Sequence, residues 1–275
     1  MSPCYKSLDQ AVSNYDTKIH AVAKPTPITG RAEFQLGLMR HSKKDGDKLT
    51  EEGIEYAKQK GAQYLGGYDG DIVRIDHSRY HRTAQTGLAV AEGAGIKNPH
   101  IKQDSRLWTF SDEESDDMEA KIKAMGKKEY MDAAIQEKDA YFKDVYNRLA
   151  NPIISYIKET IRYNVKKLQD GDKKRIQAVS HSFILDSSLA KLLQLNDEEI
   201  NSVGDIGGIF DECDQYLITV TKDGDGIKMK VDYKGGSKEI DLESLGLDEA
   251  ELSALEAEIE SMEAEGGEGE AAEAA

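Results

Sequence analysis

The sequence predicts an α/β fold, a three-layer α/β/α sandwich whose central sheet is mostly parallel with an antiparallel edge. Strand patterns alternate with helix patterns along most of the 275 residues, which is typical of a sheet with helices on both faces. Near the C-terminus two apolar runs flank Asp223-Gly224-Asp225-Gly226, a hairpin signal that supplies the antiparallel strands. A chain of this length with 39% hydrophobic residues can bury a large core.

Each predicted strand before the hairpin leads into a helix. We expect Thr50 to cap the first helix, because acidic residues fill the turn that follows it. The strands are predicted at 34–39, 71–76 and 175–180, the helices at about 50–66, 83–92 and 184–193, and the hairpin strands at 216–221 and 227–233.

The chain is predicted to have three parts: an N-terminal arm (1–32), a main domain (33–240) and an acidic C-terminal tail (241–275). Residues 111–168 form a predicted helical insert in the main domain, in which Pro152 is expected to open a new helix as a first-turn proline. The tail has a capping box at Asp248 and Glu251, so we expect a short helix to about Met262 followed by disorder.

The formal net charge of −16 is concentrated in the tail, which has 13 acidic residues and no Lys or Arg. Residues 1–240 hold 39 acidic against 36 basic residues and are nearly neutral. This balance argues against nucleic acid or an anionic membrane as a partner, because both require a basic surface. The tail is expected to be a solubilising segment or a binding segment for a protein partner.

The cysteines and the apolar runs favour a cytoplasmic location. Cys4 and Cys213 show neither a disulfide framework nor metal-ligand spacing, and we read them as reduced thiols. The sequence contains no apolar run of about 18 residues, and its N-terminus has no secretory pattern.

Two histidines, His41 and His181, each come directly after a predicted strand, and Arg40 and Arg82 lie near strand ends. The carboxyl ends of the strands in an α/β sheet meet at one edge, where ligands bind. Guanidinium groups match phosphoryl oxygens, and a neutral histidine can attack phosphorus and carry the phosphoryl group. These residues therefore predict a phosphate pocket.

Four sequence segments resemble the motifs of the histidine phosphatase superfamily, the phosphoglycerate-mutase-like fold. They are Leu38-Met-Arg-His-Ser42, Leu49-Thr-Glu-Glu-Gly53, the run from Ser78 through Arg82 to Thr86, and Val179-Ser-His-Ser182. The resemblance extends from about Phe34 to Thr221. It implies that His41 is the phosphorylated nucleophile, that Arg40, Arg82 and His181 complete the phosphate pocket, and that no cofactor or metal is needed.

The chain departs from the family pattern after both histidines, where Ser42 and Ser182 replace glycine. A serine is small enough for the backbone to approach phosphate, and its hydroxyl can donate to it, so both are candidate substrate-binding residues. Lys43 is a third candidate, because Lys43 and Lys44 can meet an anionic substrate; they also stand where the mutases of the family have a different sequence. This departure favours hydrolysis over mutase activity.

The general acid is predicted at Glu113, with Asp112 as the alternative, because many relatives have a Glu after the third strand, where this chain has Thr109. The helical insert is expected to cover the site and set the choice of substrate. The predicted function is a metal-independent phosphomonoester hydrolase acting on a small phosphorylated substrate or a phosphoprotein. The alternatives are a mutase of the same fold and a catalytically weak relative that binds phosphate or a partner. Cutting the chain near Asp241 is expected to leave the activity intact.

Overall fold

A seven-stranded mixed sheet forms the centre of the molecule, in the order β5-β4-β6-β1-β7-β8-β9. The computed structural model describes residues 30–223 and 226–253. The strands are β1 (Ala32–Arg40), β2 (Lys44–Asp45), β3 (Lys48–Leu49), β4 (Asp71–His77), β5 (Ile101–Gln103), β6 (Lys173–Ser180), β7 (Gln215–Asp223), β8 (Gly226–Tyr233) and β9 (Gly236–Ile240). The strands β5, β4, β6 and β1 run parallel, and β7, β8 and β9 add antiparallel pairs, which confirms the predicted sheet.

Helices cover both faces of the sheet, and the predicted three-layer sandwich is confirmed. The helices are α1 (Glu51–Leu65), α2 (His81–Gly93), α3 (Asp112–Met125), α4 (Lys127–Ile135), α5 (Ala140–Val165), α6 (Ser182–Leu195) and α7 (Glu249–Ser253). Thr50 caps α1 as predicted, since its side chain accepts a hydrogen bond from Gly53 N. None of the described helices is long and apolar enough to span a membrane.

The alternation of residues along β1 separates two hydrophobic clusters. Phe34, Leu36 and Leu38 belong to the larger cluster, which includes α5 and α6, whereas Met39 belongs to the smaller cluster, which includes α1 and α2. Helices α1 and α2 approach closely because Gly61 has no side chain: a Cβ there would lie 2.0 Å from the Val90 carbonyl oxygen. Both faces of the sheet are therefore sealed by packed helices.

The helical insert differs from its prediction at Pro152, which lies in the interior of α5 and does not open a new helix. A proline inside a helix removes one N–H donor and leaves the carbonyl four residues earlier without its usual partner. Here that carbonyl belongs to Arg148, and it accepts a hydrogen bond from the Thr109 hydroxyl at 3.2 Å. This substitute donor allows one 26-residue helix where the sequence indicated two.

The packed structure continues past β9 into the segment predicted as the tail. Four leucines, Leu242, Leu245, Leu247 and Leu252, are buried in the larger hydrophobic cluster. The short helix predicted after Asp248 begins at Glu249. The division of the chain at residue 240 stays a prediction, but the core reaches Leu252.

Some predictions fall on residues outside the described part of the chain. These are the arm up to residue 29, the hairpin turn at Gly224-Asp225, the helix beyond Ser253 and the disorder after it, and the side chain of Glu251.

We predict that shortening the chain to residues 1–253 leaves the free energy of unfolding nearly unchanged, whereas shortening it to 1–240 lowers it by more than about 4 kcal/mol. The physical reason is the loss of four buried leucines, each of which contributes about 1.5–3 kcal/mol on burial. Urea unfolding of both variants measures the difference. Equal stability of the two would show that these leucines contribute little to the core.

Candidate functional site

The in-register pairing of parallel strands brings the two predicted catalytic histidines together. Arg40 at the end of β1 pairs with Ser180 at the end of β6, and the residue that follows each strand is a histidine. The His41 amide donates to the Ser180 carbonyl at 3.0 Å. As a result, the rings of His41 and His181 lie 5.1 Å apart between their centroids.

The ring of His41 is buried and held in one tautomer. Its Nδ1 lies 2.8 Å from the Ser42 carbonyl oxygen, which can only accept, so Nδ1 carries the proton and Nε2 has a free lone pair. Burial lowers the pKa of His41 to about 3, and the positive charges of Arg82 and Arg40 act in the same direction. His41 is therefore a neutral imidazole with an available nucleophilic nitrogen at neutral pH.

His181 lies in the middle of a chain of hydrogen-bonded side chains, between Arg82 and Ser78. Arg82 Nη2 lies 3.4 Å from its Nδ1, and a guanidinium can only donate, so the proton of the neutral ring is on Nε2. This Nε2 lies 3.0 Å from the Ser78 hydroxyl, which is in turn 3.0 Å from that of Thr83. Burial, followed by the charges of His41 and Arg82, holds the pKa of His181 well below its usual range. A bound phosphate dianion would offset that lowering.

Arg82 is the second residue of α2 and contacts the site from the N-terminus of that helix. Its Nη1 donates to Asp47 Oδ1 at 3.0 Å, and its guanidinium lies 4.0 Å from the centre of the Tyr80 ring. These contacts hold the guanidinium against His181 while leaving it in the wall of the cavity.

Arg40 is fixed from the opposite side by the segment before β7. Its Nη1 donates to the Phe210 carbonyl at 2.8 Å, and its Nη2 donates to Glu212 at 3.2 Å. Arg40 also lines the cavity, so two guanidinium groups and two imidazoles meet in one place, as the sequence predicted.

A cavity of about 740 Å³ opens above these four side chains. The aromatic side chains of Tyr80, Trp108 and Phe183 form part of its wall, and the Trp108 ring lies 4.6 Å from that of His181. One face of α3 and the start of α4 also line it, through Asp112, Ser115, Asp116, Met118, Glu119, Ile122, Lys123, Gly126 and Lys127. The N-terminal part of the predicted insert therefore lies over the site.

The three predicted substrate-binding residues occupy different positions. Ser182 lines the cavity at the start of α6, which also presents unpaired backbone N–H groups there. Ser42 is fully buried, and its hydroxyl donates to the Gly53 carbonyl at 2.7 Å, so it does not face a ligand. Lys43 forms an ion pair with Glu52 and is not in the cavity wall, which its neighbour Lys44 lines instead.

The predicted general acid Glu113 is exposed on α3 and does not line the cavity. Asp112, the alternative, does line it, and Asp112 Oδ1 accepts from Arg79 and from the Tyr80 hydroxyl, the latter at 3.4 Å. The residues of α3 that line the cavity recur with the helical period and define one face, and Glu113 lies off that face while Asp112 lies at its edge.

Several residues around the site were missed from the sequence. Asp47 binds Arg82 from the loop between β2 and β3, and Phe210 and Glu212 bind Arg40 from an irregular segment. No motif marks these loop positions. Tyr80 lies inside the Ser78–Arg82 motif, and an aromatic residue at that position is the one sequence signal that could have indicated a place in the cavity wall.

Within residues 30–223 and 226–253, no group of three or more His, Cys, Asp or Glu side chains could hold a metal ion. The predicted independence from metals stays a prediction.

Comparison with known proteins gives similar solved structures. No protein-family model and no curated protein matches the chain. A structure named mycobacterial hydrolase 2 is 16% identical and covers 78% of this chain and 95% of its own, with a TM-score of 0.49. A mycobacterial glucosyl-3-phosphoglycerate phosphatase is 16% identical and covers 74% of this chain and 99% of its own, with a TM-score of 0.46. A phosphoglycerate mutase from Bacillus anthracis is 14% identical and covers 78% of this chain and 96% of its own, with a TM-score of 0.42.

We predict that His41 makes the folded chain sensitive to acid. Its folded-state pKa of about 3 lies below the ordinary value of 6.5, so between these values the unfolded chain binds a proton that the folded chain does not. The contribution of His41 to the free energy of unfolding is complete above about pH 6.5 and decreases as the pH falls toward 3. At pH 5 the loss is about 2 kcal/mol.

The measurement is urea unfolding of the wild type and of His41→Asn at pH 7.5 and pH 5.0. The variant should lose about 2 kcal/mol less than the wild type between the two conditions. Equal losses in both proteins would contradict a neutral, buried His41.

Proposed function

We propose that the chain is a phosphomonoester hydrolase of the histidine phosphatase superfamily that works through a phosphohistidine at His41. The single observation that carries this proposal is the tautomer of His41: its Nδ1 is hydrogen-bonded to the Ser42 carbonyl, which leaves Nε2 free in a cavity lined by Arg40, Arg82 and His181. The four sequence motifs support the same assignment.

In the first half of the proposed reaction, His41 Nε2 forms a bond to phosphorus while the bond from phosphorus to the ester oxygen breaks. Arg40 and Arg82 bind the phosphoryl oxygens, and His181, once the bound dianion favours its protonation at Nδ1, stabilises the charge that develops beside them. The N-terminus of α6 adds backbone N–H donors, an arrangement that favours anions.

The leaving oxygen needs a proton, and we propose Asp112 as its source in place of Glu113. Asp112 lines the cavity next to Tyr80, whose ring lies 5.4 Å from that of His181. In the second half a water molecule attacks phosphorus, gives its proton back to the Asp112 carboxylate, and the bond between Nε2 and phosphorus breaks to release phosphate.

The cavity favours a small phosphorylated substrate. Its volume of about 740 Å³ lies in the range of small-molecule sites. The aromatic wall of Tyr80, Trp108 and Phe183 favours a flat or apolar leaving group, so an aryl phosphate is the first substrate to test. A phosphotyrosine side chain has the same chemistry and keeps a phosphoprotein among the candidate substrates.

The same proposal includes a cytoplasmic location, supported by the free and fully buried thiol of Cys213, while Cys4 lies outside the described residues. Mutase activity remains the alternative within the same chemistry, and a requirement for a 2,3-bisphosphate would favour it. A chain that binds phosphate but hydrolyses none of a panel of phosphomonoesters would be the catalytically weak relative.

We predict that His41→Ala abolishes phosphate release from p-nitrophenyl phosphate, lowering kcat by at least about 10³-fold, because no other group takes the nucleophile's place. Rapid acid-free quenching with ³²P-labelled substrate should trap an acid-labile label in the wild type and none in the variant.

His77→Gln is the matched control, since His77 Nδ1 lies 2.7 Å from the Ser78 carbonyl in the same way, yet its ring does not line the cavity. Full activity in His41→Ala would overturn the mechanism, and the absence of activity in the wild type would overturn the enzymatic function.

We predict that Asp112→Asn slows hydrolysis of an alkyl phosphate by about 10²-fold or more and slows that of p-nitrophenyl phosphate much less. An alkoxide needs protonation to leave, whereas p-nitrophenolate leaves without it. The ratio of kcat/KM for the two substrates measures this effect. Glu113→Gln, one residue away and outside the cavity, should leave the ratio unchanged. A changed ratio in Glu113→Gln and an unchanged ratio in Asp112→Asn would identify Glu113 as the acid.

A further inference from the structure

Asp186 is a buried carboxyl group that the mechanism above does not use. It lies on α6 five residues after His181, is fully buried and does not line the cavity. Its Oδ1 accepts a hydrogen bond from the Phe210 amide at 3.0 Å, while its Oδ2 has no hydrogen-bond partner among the described residues. Burial raises its pKa well above the usual range, which favours the neutral acid.

Phe210 links this carboxyl to the site. Its amide binds Asp186, and its carbonyl accepts from Arg40 Nη1 at 2.8 Å. Thus one residue joins a carboxyl on α6 to a guanidinium in the cavity wall. The aromatic ring of Phe210 is itself buried and packs 5.9 Å from the Tyr216 ring, so the residue has little freedom to move.

The segment around Phe210 belongs to no strand or helix. It lies between the short 3-10 helix Val203–Ile206 and β7, and it contains left-handed backbone at Gly207, Gly208 and Cys213. From Phe210 onward it wraps the end of β1: the Arg40 amide donates to the Asp214 carbonyl at 2.9 Å, and the Arg40 carbonyl accepts from Cys213 N.

We propose that Asp186 is a positioning residue for Arg40: by holding the Phe210 amide, it fixes the carbonyl that orients the guanidinium toward the phosphate. The proposal rests on the phosphate-binding role of Arg40 in the proposed function. Asp186 touches neither substrate nor reacting atoms, and its effect passes through the Phe210 backbone.

The chemistry of the contact separates two kinds of substitution. Asparagine keeps a side-chain oxygen at the same place to accept from Phe210, and it resembles the neutral acid in charge. Leucine has nearly the same shape but no acceptor, so the Phe210 amide loses its partner and the carbonyl on the other side loses its fixed position.

The experiment compares Asp186→Asn and Asp186→Leu in the full chain. The readouts are kcat and KM for p-nitrophenyl phosphate, the dissociation constant of orthovanadate, and the thermal midpoint. We expect Asp186→Leu to raise KM and the vanadate dissociation constant by about 10-fold, with a smaller change in kcat, and Asp186→Asn to stay within about 2-fold of wild type. Ser187→Ala, a neighbouring fully buried hydroxyl on α6, is the matched control and should behave as wild type.

A double-mutant cycle with Arg40→Ala distinguishes positioning from general loss of structure. If Asp186 acts through Arg40, Asp186→Leu should weaken vanadate binding by less than about 2-fold once Arg40 is absent. An undiminished effect in the Arg40→Ala background would overturn the proposal, as would unchanged binding in Asp186→Leu. If Asp186→Leu does not fold, Asp186→Ala takes its place in the same cycle.

Vanadate affinity keeps this test separate from that of the enzymatic function. A wild type that binds vanadate but hydrolyses no phosphomonoester would refute the hydrolase and leave the positioning role open to the same cycle. A wild type that binds no vanadate would overturn both.

Discussion

The parallel pairing of β1 with β6 is the constraint on which the rest of the site depends. Because Arg40 stands opposite Ser180, the two strands end level, and the residue after each is a histidine. A shift by one residue would turn every side chain of one strand to the other face of the sheet. The hydrophobic clusters on both faces oppose such a shift, so the burial that stabilises the fold also sets the distance between the two imidazoles.

Burial has a second effect, which is chemical. The same packing that removes His41 from water disfavours its charged form, and nearby guanidinium groups add to that effect. The result is a neutral imidazole beside fixed positive charge. An anion is attracted to such a place while the nitrogen that would attack it remains unprotonated, so attraction and nucleophilicity do not compete.

The sequence predicted β1, β4, β6, β7 and β8 and the meeting of the four central side chains because each follows from a local signal, an apolar run or a motif, whereas it missed the short edge strands β5 and β9. It could not show which contacts residues distant in sequence make, or which side of a helix faces the cavity. Pro152 stays inside a helix, and Thr109, from the segment before α3, supplies a donor to the carbonyl that the proline leaves unpaired. Asp112 faces the cavity, and Glu113 does not, because of helix phase, which no composition reveals. The hydroxyl of Ser42 is taken by Gly53, a contact visible only once α1 is docked.

The way α3 is attached has a consequence for how such a protein can diverge. Helix α3 buries only Met118 and Ile122, and ion pairs of Asp112 with Arg79 and of Glu114 with Arg148 hold its first turn. The proposed nucleophile and the guanidinium groups beside it come from other elements, the strand ends and the start of α2. Selection can therefore alter the cavity face of α3, which carries Asp112 and would face a leaving group, while the strand ends that hold His41, Arg40 and His181 stay the same.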